Sequence, residues 1–225
     1  MGSKSKMPQI GEAVFCIIYL IFGYIAGTVM LLHADGNSVA LILGILTLVL
    51  AGGDSFHLVP RIINAFKDKF EAYGFYAGLG LMVSSITMTV FYILLYYACG
   101  LLIALNKPGT TTETFNYMYY VLIAFACVRT ILCLFPQNNW FHKEGNQKWG
   151  IIRNVPFIVV GIVAVYGCFM ASLIGMGVAV IISFACYLPV VFLAKKKPMI
   201  GMLMIPKTIA YMYIIGVALG IVFTL

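Results

Sequence analysis

The chain has 225 residues, of which 63% are hydrophobic and only 9% charged, with a formal net charge of +7. A water-soluble domain of that size cannot hide so much apolar surface, so the composition excludes a soluble globular fold and makes lipid the solvent. The basic excess does not point to nucleic acid, because the cations sit in short stretches between apolar runs, where they act as topology signals.

The apolar runs are continuous and do not alternate in and out, which predicts helices and not a barrel. Each matches the ~20 residues needed to cross a bilayer. In chain order, spans are expected at about 10–32, 38–63, 75–105, 115–135, 151–173, 175–194 and 199–224, forming one all-α domain of seven transmembrane helices. The first lacks a signal-peptide cleavage site and is long enough to stay as an anchor; Lys6 argues against acylation at Gly2. His33-Ala-Asp-Gly-Asn37 closes it. The third span is longer than one crossing needs, so it should tilt, and Lys107-Pro-Gly-Thr110 closes it. A polar loop from Pro136 through Trp149 joins the fourth and fifth spans, and Lys195-Lys-Lys-Pro198 separates the sixth from the seventh. Gly23-xxx-Gly27, Gly80-xxx-Ser84 and Gly216-xxx-Gly220 are small-residue pairs expected to let helices approach closely.

Loop charge sets the orientation. The loops after spans two, four and six carry Arg61, Lys67, Lys69, Lys143, Lys148, Arg153 and Lys195 to Lys197, and the N-terminus adds Lys4 and Lys6; the loops after spans one, three and five carry Lys107 alone. Positive residues stay inside, so the N-terminus is expected in the cytosol. An odd number of spans then sends the C-terminus outside, which fits a multi-pass protein of the cell membrane.

Three features interrupt the apolar pattern. Asp54, His57 and Arg61 are spaced i, i+3, i+7 and share one face of the second span; Arg129 lies in the fourth and Lys207 in the seventh. Charges in a membrane helix are costly and are expected to face the bundle interior and find partners. Counted from the cytosolic ends at 1.5 Å per residue, all three lie roughly 10–14 Å deep. This predicts a cytosol-facing polar cavity, with Asp54 as the anionic partner of Arg129 or Lys207, and Glu12, Arg61, His57, Arg153 and Asn154 around its mouth. Two other arrangements stay open: an ion-pair network that only fixes packing, or a neutral Lys207. A surplus of buried cations, however, asks for an anion.

The remaining polar residues admit plainer readings. Ser84, Ser85, Thr87 and Thr89 on span three are expected to bond their own backbone or a neighbouring helix; a nucleophilic serine would need a base, and His57 is the nearest candidate. The tyrosines read as interfacial belt and packing. Cys16, Cys99, Cys127, Cys133, Cys168 and Cys186 lie in apolar segments without a CxxC pair, so neither a disulfide framework nor a metal centre is expected, and no cofactor is implied.

Gly53-Asp54 followed by Phe75-Tyr-Ala-Gly78 and Ser84 to Tyr92 resembles the core of lysoplasmalogenase-type membrane proteins. That resemblance implies hydrolysis of a lysolipid headgroup linkage, with Asp54 as the carried-over residue. The chain is also similar in outline to the seven-span alkaline ceramidase and progestin-receptor-like superfamily, whose spacing His57 and Asp68 echo; Gly53 replaces its serine and the later paired histidines are absent, so its zinc site is not expected. Lys207-Thr208 with Ser85-Ile-Thr87-Met-Thr89 resembles the pattern of inverted-topology heliorhodopsins, although Val83 stands at the counterion position.

The residues together point to binding, and turning over, an amphiphilic anionic molecule from the cytosolic leaflet. Asp54 and His57 would be the acid–base or orienting pair, with Arg61, Arg129, Lys207 and Asn154 holding the substrate. The expected partners are membrane lipids and a lipid-like or anionic small molecule, with no nucleic acid and with a homo-oligomer left open. Two other classes fit the same residues: a small transporter in which Asp54 and Lys207 exchange protons, and a sensor, including a retinal-binding one through Lys207.

Overall fold

The computed structural model describes residues 7–67, 70–106, 113–141, 145–193 and 198–225. Lys4, Lys6, Asp68, Lys69, Lys107, Lys143 and Lys195 to Lys197 lie outside the described residues, so most of the loop-charge argument stays an expectation. The helices are α1 (Met7–Leu32), α2 (Ser38–Lys67), α3 (Phe70–Asn106), α4 (Glu113–Leu134), α5 (Gln147–Met170), α6 (Ile174–Leu193) and α7 (Met204–Val222). All seven are long and apolar enough to cross a membrane, and there is no strand among the described residues. This is the architecture of a multi-pass membrane protein, in which helices satisfy most of their backbone polar groups internally.

The bends between helices follow from local chemistry. Asp35 and Gly36 take positive φ (41° and 82°) after α1, and Asn37 then caps α2 by accepting from Val39 N at 2.8 Å. Asn146 caps α5 through Lys148 N and Trp149 N. That cap starts α5 at Gln147, earlier than expected, and puts Lys148 and Arg153 on the helix, where the charge count had them in a loop.

Consecutive helices pack side by side; α3 also touches α5, and α7 closes the ring against α1 and α2. Glycines let the first three approach closely. A methyl at Gly23 would fall 2.9 Å from Ala51 Cβ, and one at Gly27 would fall 2.7 Å from a Leu48 methyl carbon. Gly216 and Gly220 meet nothing within 4 Å, so the third small-residue pair makes no close approach inside this chain.

The tightest contact joins α2 to α3 and depends on a proline. Pro60, inside α2, has no N–H to offer the carbonyl of Phe56 one turn earlier. Gly80 of α3 packs onto that carbonyl, where an added methyl would sit 2.1 Å from the oxygen. Ser84, one turn further along α3, is thereby brought against Asp54. Gly80→Ala should force the helices apart, costing on the order of 1–3 kcal/mol or more, while Gly216→Ala should change nothing. Thermal unfolding of the two variants in detergent checks the contrast.

Candidate functional site

Asp54 is 5% exposed and sits where three helices meet. Its Oδ2 accepts from the Tyr19 hydroxyl of α1 at 2.9 Å, and its Oδ1 accepts from the Ser84 hydroxyl of α3 at 3.0 Å. His57, one turn along α2, places Nδ1 3.8 Å from the same Oδ1; that nitrogen is buried and has no hydrogen-bond partner. Asp54 and His57 are thus brought together as their spacing implies. Ser84 turns its hydroxyl to the carboxylate and not to His57. The neighbouring Ser85, Thr87 and Thr89 bond backbone carbonyls a turn back, the ordinary role of hydroxyls in membrane helices.

The expected direct ion pair between Asp54 and Arg129 or Lys207 is not formed: among the described residues, the ion pairs are His57–Asp54 and Arg61–Glu12. The physical reason is local. Each carboxylate oxygen already accepts from a hydroxyl of a helix packed on α2, so the buried charge is stabilised without a direct cation contact.

Arg129 occupies a second node, on α4. It is 1% exposed, and its guanidinium carbon stands 3.1 Å from the centroid of the Phe157 ring of α5. Phe157 belongs to an internal aromatic cluster with Tyr92, Phe184 and Tyr187, so the guanidinium lies on a rigid apolar floor. Its Nε and Nη1 are buried without a hydrogen-bond partner. A buried donor left unpaired costs about 1–3 kcal/mol, more when charged, so the site stands in an unfavourable state that an acceptor would relieve.

The end of α4 builds one edge of the floor. Phe135-Pro136 turns the chain into a single 3-10 turn, and the buried Asn138 folds back to donate to the carbonyls of Leu132 (2.7 Å) and Phe135 (2.9 Å). Trp140 Nε1 donates to the Cys133 carbonyl at 2.8 Å. These bonds satisfy the last carbonyls of the helix. Asn138 Oδ1 then accepts from Arg153 Nη1 at 2.7 Å, and the Arg153 guanidinium lies 4.0 Å over the Trp140 ring. The loop therefore both caps α4 and places Arg153.

The other anticipated residues are distributed around these nodes. Lys207 Nζ lies 5.0 Å from the Tyr211 ring centroid and 5.3 Å from that of Tyr187, and the charges of both Asp54 and Arg129 act on it. Lys207 thus lies beside Tyr187, the tyrosine that Asn154 also contacts. Asn154 donates to the Gly150 carbonyl (2.6 Å) and accepts from the Tyr187 hydroxyl (3.0 Å), so it positions Tyr187. Arg61 pairs with Glu12 beside a cavity of about 220 Å³ between α1 and α2, lined also by Cys16 and Asn64. Arg61 is therefore not gathered with Arg129.

The sequence offers the Phe135–Trp140 loop either as a lining of the cavity mouth or as a cap on the fourth span, and Asn138 and Trp140 do cap α4; Tyr19 and Tyr187 have no such signal, since an uncharged side chain in an apolar stretch does not say which helix it will face. No group of His, Cys, Asp or Glu residues suited to a metal ion occurs among the described residues. No protein-family model matches the chain, and neither a curated protein nor a solved structure resembles it significantly, so the site is read from its own residues.

Proposed function

We propose that this chain is a cell-membrane protein that takes an amphiphilic anion from the cytosolic leaflet and holds its headgroup at Arg129 and Lys207. One observation carries the reading: a fully buried guanidinium with two unpartnered nitrogens and no carboxylate paired with it. Among the described residues the buried carboxylate is Asp54, and each of its oxygens already accepts from a hydroxyl. An anion from outside the chain is the partner that such a group lacks, and a membrane-embedded position favours one with an apolar tail. Asp54 and His57 supply acid–base chemistry toward the bound molecule.

The test is direct. Wild-type protein purified in mild detergent should carry an anionic amphiphile detectable by native mass spectrometry, and Arg129→Met should not. Identical lipid profiles for the two would sink the proposal.

The reading also needs the N-terminus and the end bearing Arg61 and Arg153 in the cytosol, with the C-terminus outside. A C-terminal alkaline phosphatase fusion should therefore be active in intact cells, and a C-terminal green fluorescent protein fusion dark. The reverse pattern would place the two nodes in the outer leaflet.

A proton-coupled carrier is the second reading, favoured by a second ionisable side chain, Lys207, set among the rings of Tyr187 and Tyr211 without an ion-pair partner among the described residues. It predicts solute uptake into proteoliposomes driven by a pH gradient, without product formation.

A further inference from the structure

Arg153 stands on α5 one helical turn before Phe157, the ring on which Arg129 lies. Arg153 and Phe157 are i and i+4 on α5, and therefore share a face. Arg129 lies on Phe157, while Arg153 reaches Asn138, which caps the turn of α4 that contains Cys133, four residues after Arg129. Arg153 and the ring that carries Arg129 are thus one turn apart on the same face of α5. Each is stacked flat on an aromatic ring, Phe157 and Trp140 respectively. Neither has a carboxylate partner among the described residues. Three buried nitrogens remain unpartnered: Arg129 Nε, Arg129 Nη1 and Arg153 Nε.

Two buried cations without a counter-charge repel each other, and the aromatic rings and Asn138 that hold them supply no negative charge. The chemistry that resolves it is an anion with more than two acceptor oxygens and enough breadth to touch both planes. A carboxylate offers two coplanar oxygens and satisfies one guanidinium. A phosphate offers oxygens directed tetrahedrally, and with N–H···O contacts of ~2.8 Å on opposite sides it bridges guanidiniums several ångströms apart.

Resting on the anion-binding reading above, we infer that the bound headgroup is a phosphate held jointly by Arg129 and Arg153, with Arg153 as a second binding residue. The same chemistry would be met by a phospholipid headgroup or by free phosphate, and the two are separable by experiment.

The chain contains two tryptophans, Trp140 and Trp149. In a Trp149→Phe background, Trp140 emission reports directly on the guanidinium stacked over it. The protein in maltoside micelles is titrated with dodecyl phosphate, dodecanoate and inorganic phosphate. Dodecyl phosphate should give a saturable change at least tenfold tighter than dodecanoate. Arg153→Met should erase that advantage, and Arg153→Lys, which keeps the charge and a donor to Asn138, should retain part of it and the fold, as judged by circular dichroism. Inorganic phosphate binding as tightly as dodecyl phosphate would assign the site to a soluble phosphate; much weaker binding assigns it to a lipid. Equal affinity for dodecanoate and dodecyl phosphate, or unchanged selectivity in folded Arg153→Lys and Arg153→Met, overturns the phosphate inference and leaves anion binding standing. No response to any of the three probes overturns both.

Discussion

Arg129→Met is expected to leave the bundle folded and to weaken binding of the anionic amphiphile by a hundredfold or more. The two halves of that expectation have separate causes. Methionine has nearly the reach of arginine without its charge, and its thioether packs well on an aromatic face such as Phe157. Because Arg129 has no ion-pair partner, its removal strands no carboxylate. Replacing a buried charge by an apolar side chain of similar volume is often neutral or stabilising by about 1–4 kcal/mol, so the thermal midpoint without ligand should hold or rise. Binding behaves oppositely. Hydrogen bonds to a charged group contribute about 1.5–3 kcal/mol each, and losing two corresponds to two or more decades in Kd. The ligand-induced rise in thermal midpoint should therefore vanish. If Arg129 instead only braced the helices, the same variant would melt earlier and keep its bound lipid.

Much of this fold is legible without coordinates, and the site is legible only in part. Span number follows from apolar length, because lipid leaves the backbone no choice but the helix. Asp54 and His57 meet because both lie on α2, and helical periodicity fixes their relation. The pairing of Asp54 with Tyr19 and Ser84 depends on how α1, α2 and α3 are rotated against one another, and that rotation is set by Gly53, Gly80 and the carbonyl freed by Pro60. Close-approach glycines in a glycine-rich chain look alike in sequence: Gly80 is pressed against Phe56, whereas Gly216 faces open space. Depth was calculable for Arg129 and Lys207, but azimuth was not. Asp54 and Arg129 are therefore both buried without sharing an ion pair.

Asp54→Asn should abolish turnover, a loss on the order of 10²–10⁴-fold for a proton-transfer group, while the protein keeps its fold. The geometry makes asparagine a fair test. Its carbonyl oxygen accepts from one of the two hydroxyls, and its amide can donate to the other, since a hydroxyl is donor and acceptor alike. The packing of α1 and α3 on α2 is thus preserved, and the charge that faces His57 at 3.8 Å is lost. Alanine differs: it leaves the Tyr19 and Ser84 hydroxyls buried without their acceptor, which costs about 1–3 kcal/mol for each, and it should lower the thermal midpoint as well. Product release from a panel of lysolipids and phosphate-bearing amphiphiles, measured beside thermal unfolding, separates the two variants. An inactive Asp54→Asn protein with a wild-type midpoint assigns Asp54 to chemistry. A midpoint that falls as far as that of Asp54→Ala would mean that the carboxylate's two hydroxyl bonds are its whole role, and that the acid–base group must be sought elsewhere.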